Sequence, residues 1–275
     1  MDPSALLAHL GLDAPAAPIH GGWASWTFDL GGSQILRVAR SPEIAAAHRR
    51  EERLLPELAA YLDYAVPVPT TVGEFDGHTY MLYPRLPGRA LQPGDRVGDV
   101  AGMLRRLHSF PVERAARLLG CEVDGWRAGY LADWEWMTRK VLPRLDAPLR
   151  AEVESRYFEA LSLMEGFTPV LVHRDLGTEH ILCDAGGVPT GIIDFETATA
   201  GDPVIDFVGL WATFGEEEGR RLIDAYGLPV SLERLHFYLW MGAAHAIRYG
   251  VDEGDESIVA DGVDGLRKRL GRVGA

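Results

Sequence analysis

Between Ile19 and Arg89 the apolar positions come in short alternating runs, and beyond Arg89 they recur mostly at helical spacing, so the chain changes character once along its length. Trp26 to Leu30 and Gln34 to Val38 read as two strands joined by a Gly31-Gly32 turn, a β-hairpin. After Ser41-Pro42, the positions Ile44, Ala47, Leu54, Leu55, Leu58 and Leu62 predict a helix over 43–62, with Pro42 in the first turn that tolerates it. Val66-Pro67-Val68-Pro69 is forced to be extended, and Thr79 to Leu82 reads as a further strand that ends at Pro84 and Pro87-Gly88. Val97, Val100, Ala101, Leu104 and Leu107 mark one amphipathic helix, and Leu149, Val153, Tyr157, Leu161 and Met164 another. The helical half is interrupted by the strand-like runs Val170-Leu171-Val172 and Gly191-Ile192-Ile193, with a polar stretch and a Gly186-Gly187 turn between them. The expectation is an α+β fold with a small sheet-rich lobe over 1–88 and a larger, mostly helical lobe over 89–275.

Composition narrows what such a fold does. In 275 residues, 47% are hydrophobic, enough for a packed core. Forty Asp and Glu against 27 Lys and Arg give a formal charge of −13, which argues against a reader of phosphate backbones and favours small cationic partners. Only Cys121 and Cys183 occur, so a disulfide framework is not expected. Met1 to Leu12 lacks the basic start and apolar run of a signal peptide, and no stretch reaches the ~18 apolar residues of a membrane span; the chain reads as cytoplasmic, with neither nucleic acid nor membrane as partner.

Chemistry concentrates in the interruption. It runs Val172-His173-Arg174-Asp175-Leu176-Gly177-Thr178-Glu179-His180-Ile181-Leu182, then Gly191-Ile192-Ile193-Asp194-Phe195-Glu196, then Gly201-Asp202-Pro203 and Asp206-Phe207. This combination resembles the aminoglycoside phosphotransferase family, which has the bilobed protein-kinase-like fold, over nearly the whole chain. The resemblance implies a kinase that moves the γ-phosphoryl of ATP or GTP, with Mg2+, onto a hydroxyl of an antibiotic or metabolite. Phosphoryl transfer needs a nucleophilic hydroxyl held in line and cations against the developing charge. By resemblance, Asp175 is the catalytic base and Asp194 the principal metal ligand. Five residues after Asp175, where protein kinases carry asparagine, stands His180; this is similar to aminoglycoside 2″-phosphotransferases and macrolide phosphotransferases, and implies a second metal ligand.

The same resemblance carries further positions. No lysine precedes Lys140, so Arg37 in Ile35-Leu36-Arg37-Val38 takes the place of the phosphate-binding lysine, with Glu51 as its helix partner. Gly21-Gly22-Trp23-Ala24-Ser25 is the only stretch that can stand for a phosphate-covering loop, through Ser25 or backbone contacts, and Arg85 or Leu86 after Pro84 supply the backbone donors that read the base. Asp202, Asp206 and His108 are read as structural caps and anchors, His108 through the dipole at its helix C-terminus. For the acceptor, the acidic runs Glu216-Glu217-Glu218 and Asp252 to Glu256 suit a polycation, whereas Trp211, Phe214, Phe237, Tyr238 and Trp240 suit a more apolar macrolide or stand in the core. A choline-, homoserine- or sugar-type kinase and a catalytically silent scaffold are the competing readings.

Overall fold

The computed structural model describes residues 2–19 and 24–271. After a short helix α1 (Ser4–His9) come strands β1 (Ala17–Ile19), β2 (Ser25–Asp29) and β3 (Gln34–Ala39), helix α2 (Pro42–Tyr61), then β4 (Thr71–Phe75) and β5 (His78–Pro84). The five strands form one antiparallel sheet in the order β1-β2-β3-β5-β4, which places β3 at its centre. The expected hairpin is present, with Trp26 opposite Val38. Strand β4 is not among the expected elements. It is an edge strand of polar and half-buried residues, so it lacks a clear alternation; its signal was the Asp76-Gly77 pair, whose positive φ values of 48° and 76° build the tight turn into β5.

Helix α2 begins where Ser41 accepts a hydrogen bond from the Ile44 amide at 3.4 Å, with Pro42 just inside. Its buried stripe is Ala47, His48, Glu51, Leu54, Leu55 and Leu58, so a carboxylate stands where the period demands an apolar residue. The leucines of that stripe do not join the small core under the sheet, which is made of Leu6, Leu7, Phe28, Leu30, Leu36, Val38, Tyr80 and Leu82. They join the large core of the helical half instead.

Strand β6 (Arg89–Ala90) leads into α3 (Val97–His108), α4 (Val112–Leu119), α5 (Trp126–Trp136) and α6 (Ala147–Leu163). Then β7 (Val170–Val172), β8 (Ile181–Cys183), β9 (Pro189–Ile192) and β10 (Thr199–Gly201) form two small antiparallel sheets, β10-β7 and β6-β8-β9. Helices α7 (Val208–Tyr226), α8 (Leu232–Glu253) and α9 (Glu256–Leu270) complete the chain. Inside α7, Gly215 at φ 84° and ψ −179° interrupts the helical path, a conformation that glycine adopts without strain. Among the described residues no helix is long and apolar enough to cross a membrane.

Candidate active site

The loop after β7 is held from behind by one buried carboxylate. Asp206, fully buried, accepts hydrogen bonds from the backbone amides of His173 at 2.8 Å and Arg174 at 2.7 Å, and from His108 Nε2 at 3.1 Å. Gripping two consecutive amides turns the chain sharply, and Arg174 takes φ 73°. The His173 ring, also buried, donates through Nε2 to the Ile193 carbonyl at 2.9 Å and so ties this loop to the one after β9. Asp175, the residue after Arg174, is thereby turned outward and exposed. His108 stands in the last turn of α3, as expected of a structural residue, and is buried there, with Nδ1 accepting from the Tyr226 hydroxyl at 2.8 Å. Asp202 acts as an anchor as expected, capping the turn at Val204 and accepting from the Tyr238 hydroxyl at 2.8 Å and Arg234 Nε at 2.6 Å. Removing the clamp with Asp206→Ala leaves the buried His173 amide and the part-buried Arg174 amide unpaired, and the loss of the first alone is expected to cost about 1–3 kcal/mol, read as a lower urea midpoint.

His180 and Asp194 face each other across the loops. His180 Nδ1 donates to the Asp175 carbonyl at 2.7 Å; since that oxygen can only accept, the proton sits on Nδ1 and the lone pair on Nε2. That lone pair lies 3.7 Å from Asp194 Oδ2. Asp194 has the left-handed backbone of φ 69° and ψ 62°, and its Oδ1 is buried without a hydrogen-bond partner, 3.2 Å from Arg37 Nη1. Burial works against its charge, but Arg37 holds the carboxyl below its ordinary range. An imidazole lone pair opposite a carboxylate with an orphaned oxygen fits a divalent cation between them. Among the described residues no three His, Cys, Asp or Glu side chains converge on one point, so the remaining ligands of such a cation would be phosphate oxygens and water, as magnesium favours.

Arg37 extends from the central strand beneath this pair. Its Nη1 lies 3.3 Å from Glu51 Oε2 on α2, and its Nη2 donates to Glu196 Oε2, two residues after Asp194. Glu52, by contrast, sits outside and pairs with Arg49 at 3.3 Å. Arg37 is only 7% exposed; burial opposes its charge, yet Glu51 and the neighbouring acids raise its pKa. Burial, with Asp194 and Glu196 adding, pushes Glu51 up to about 7 against the pull of Arg37. Glu196 had no role assigned from sequence, and no spacing rule singles it out; only the fold brings its carboxylate to a strand 159 residues earlier.

Ser25 does not reach this cleft. It is buried, and its hydroxyl shares a hydrogen bond of 3.0 Å with His48 Nε2 because β2 carries it to the inner face of the sheet. Gly21, Gly22 and Trp23 lie outside the described residues. Burial first, then Arg37, holds His48 down at about 3, so it is neutral in the fold and must gain a proton on unfolding below its ordinary value. The stability tied to His48 is therefore complete above about pH 6.5 and is lost as pH falls toward 3. His48→Gln is expected to flatten the wild-type decline in melting temperature over that window.

Arg37, His180 and Asp194 line one end of a cleft of about 550 Å3, whose walls include Ile35, Leu182 and Ile193, a size and apolarity suited to a planar base. Arg85 and Leu86 stand at its other end. The Arg85 amide is already spent on the Ser33 carbonyl at 2.9 Å, and its guanidinium pairs with Asp29; this corrects the expectation of Arg85 as a backbone donor to the base, and leaves Leu86. A second cavity of about 910 Å3 lies among α7, α8 and α9, with Trp211, Glu216, His236, Asp261 and Lys268 in its wall. The acidic runs are largely neutralised within the fold. Glu216 pairs with Arg220, Glu217 and Glu218 pair with Arg221, Asp252 pairs with Lys140, and Glu256 pairs with Arg144. Phe237, Tyr238 and Trp240 are 2% exposed and belong to the core.

Similarity to known proteins agrees with this geometry. The chain is 28% identical over 261 residues to viomycin phosphotransferase of Streptomyces vinaceus, covering 86% of this chain and 88% of that one. The GDP and kanamycin complex of APH(2″)-IIIa superposes with a TM-score of 0.88 at 23% identity, over 98% of both chains. Macrolide 2′-phosphotransferase type I superposes with a TM-score of 0.73 at 24% identity, over 95% of this chain and 94% of the other. These structures share the protein-kinase-like α+β fold of this chain. Residues 15–235 match the model of the phosphotransferase enzyme family, APH, and the chain belongs to that family.

Proposed function

We propose that this phosphotransferase moves the γ-phosphoryl of ATP or GTP to a hydroxyl of a small antibiotic of the aminoglycoside, macrolide or viomycin kind. The observation that carries this reading is the convergence of Arg37, His180 and Asp194 on one cleft, with the loop of Asp175 tied to it through the His180 hydrogen bond. Asp175 accepts the proton of the acceptor hydroxyl and orients it for in-line attack. Arg37, pre-aligned by Glu51, contacts the nucleotide phosphates. The Leu86 amide reads the base edge, and Ile35 and Leu182 cover its faces. Asp194 and His180 would hold the divalent cation, Mg2+ by its liking for oxygen and phosphate; bound there, it supplies positive charge against the phosphates. The two lobes divide at 88/89 in this reading, since the five-stranded sheet ends at Pro84 and Arg89 pairs with β8 of the helical half.

Viomycin, named in one relative, and kanamycin, bound in the complex of another, give the first panel, with macrolides and nucleoside types beside them. Each compound is incubated with the protein, Mg2+ and either ATP or GTP, and its mass is measured. A phosphoryl gain on one antibiotic is the expected result. Gain only on choline, homoserine or a sugar would overturn the antibiotic assignment, and nucleotide binding with transfer to nothing in the panel would favour a scaffold.

A further inference from the structure

Glu196 stands against Arg37, a residue of the cleft wall, without a task in the phosphoryl-transfer assignment. Its side chain is 12% exposed and sits on the single turn Phe195–Thr197, which is pinned by the buried Phe195 ring. The Arg37 guanidinium meets three carboxylates, one from α2 and two from the turn after β9, and the two ends of its fork have different partners. Nη1 lies 3.3 Å from Glu51 and 3.2 Å from Asp194, whereas Nη2 donates to Glu196. A lysine at this place would present one nitrogen, free to turn between Glu51 and a phosphate. A guanidinium is planar, and its useful donors point correctly only when the plane itself is held. Glu51 grips the fork through Nη1, the nitrogen nearest Asp194; holding the plane requires a second grip on Nη2.

We propose that Glu196 is a positioning residue for nucleotide binding: it anchors Arg37 Nη2, so that Nη1 is aimed at the nucleotide phosphates once Asp194 turns to a divalent cation. The proposal rests on the assignment of Arg37 to phosphate made above. In this arrangement arginine and glutamate are a matched pair. The arginine needs Glu196 to fix its plane, and Glu196, largely removed from water, needs a cation to remain charged in that place.

The test is a binding cycle with fluorescent ATP and GTP analogues, with and without Mg2+, on Glu196→Ala, Glu196→Gln, Arg37→Lys, Arg37→Ala and the Arg37→Lys/Glu196→Ala double variant, each first shown to melt cooperatively. Glu196→Ala is expected to weaken nucleotide on the order of tenfold, and Glu196→Gln to recover much of that, since its amide oxygen still accepts from Nη2. On the Arg37→Lys background, Glu196→Ala is expected to add less than about twofold, because lysine has no second nitrogen to anchor. Unchanged affinity in folded Glu196→Ala, or an equal loss on both backgrounds, overturns the proposal. Unchanged affinity in Arg37→Ala would instead overturn the assignment of Arg37 to phosphate, so the two failures are distinguishable.

Discussion

Asp175→Asn is expected to lower kcat by roughly 10²–10⁴ while the nucleotide dissociation constant stays within about twofold of wild type. The asparagine keeps the shape of the side chain and loses only its ability to take a proton. The scaffold around it is untouched by the change: the Asp206 clamp acts on the amides of His173 and Arg174, and His180 bonds to the Asp175 carbonyl, not to its carboxylate. A fall in nucleotide affinity of the same size as the fall in kcat would mean that Asp175 serves the nucleotide site, and turnover at the wild-type rate would remove it from the base role. Single-turnover transfer to whichever antibiotic the mass panel identifies, set beside equilibrium nucleotide titration, separates these results.

Asp194→Asn is expected to have the other large effect, this time on the metal-dependent part of nucleotide binding. Asparagine tolerates the left-handed backbone at φ 69° that alanine would strain, so the variant tests the charge and not the turn. Loss of the carboxylate removes the group that faces the His180 lone pair at 3.7 Å and that Arg37 holds ionised. The strengthening of nucleotide affinity by Mg2+ is expected to disappear, and kcat to fall by roughly 10³ or more, the scale of losing several kcal/mol of charge stabilisation. Calorimetric titration of nucleotide at increasing Mg2+ reads this directly. A normal Mg2+ response in Asp194→Asn would take the metal away from this carboxylate and leave His180 without a partner in ligation.

The acidic runs bear on the acceptor proposed above. The acidic runs looked suited to a polycation, but their charges are answered by arginines one helical turn away on the same helix, or by Lys140 and Arg144 from the segment after α5. Such exposed pairs contribute little to stability, yet they do cancel much of the local field that would attract a cationic antibiotic.

Hydrophobic periodicity alone determined the hairpin, the long helix after Pro42, the helices starting near Val97 and Leu149, and the strand at Val170, because each of these elements carries a repeating apolar pattern that is local in sequence. The resemblance of the motif to the phosphotransferase family singled out Asp175, His180 and Asp194, and the short loops between paired strands bring His180 and Asp194 together because such loops keep sequence neighbours close. The edge strand β4 escaped, since one polar face and few buried positions leave no pattern to read. The roles of Ser25, His48, His108 and Glu196 were decided only by tertiary structure. Whether the Ser25 hydroxyl meets a phosphate or His48 depends on which face of the sheet β2 turns inward. That His108 meets Asp206 depends on how α3 packs under the catalytic loop, and Glu196 acquires Arg37 only when the sheet closes over the turn after β9. Local sequence sets the period of an element; the partners of its buried polar groups are set by which faces meet, and that is a property of the whole fold.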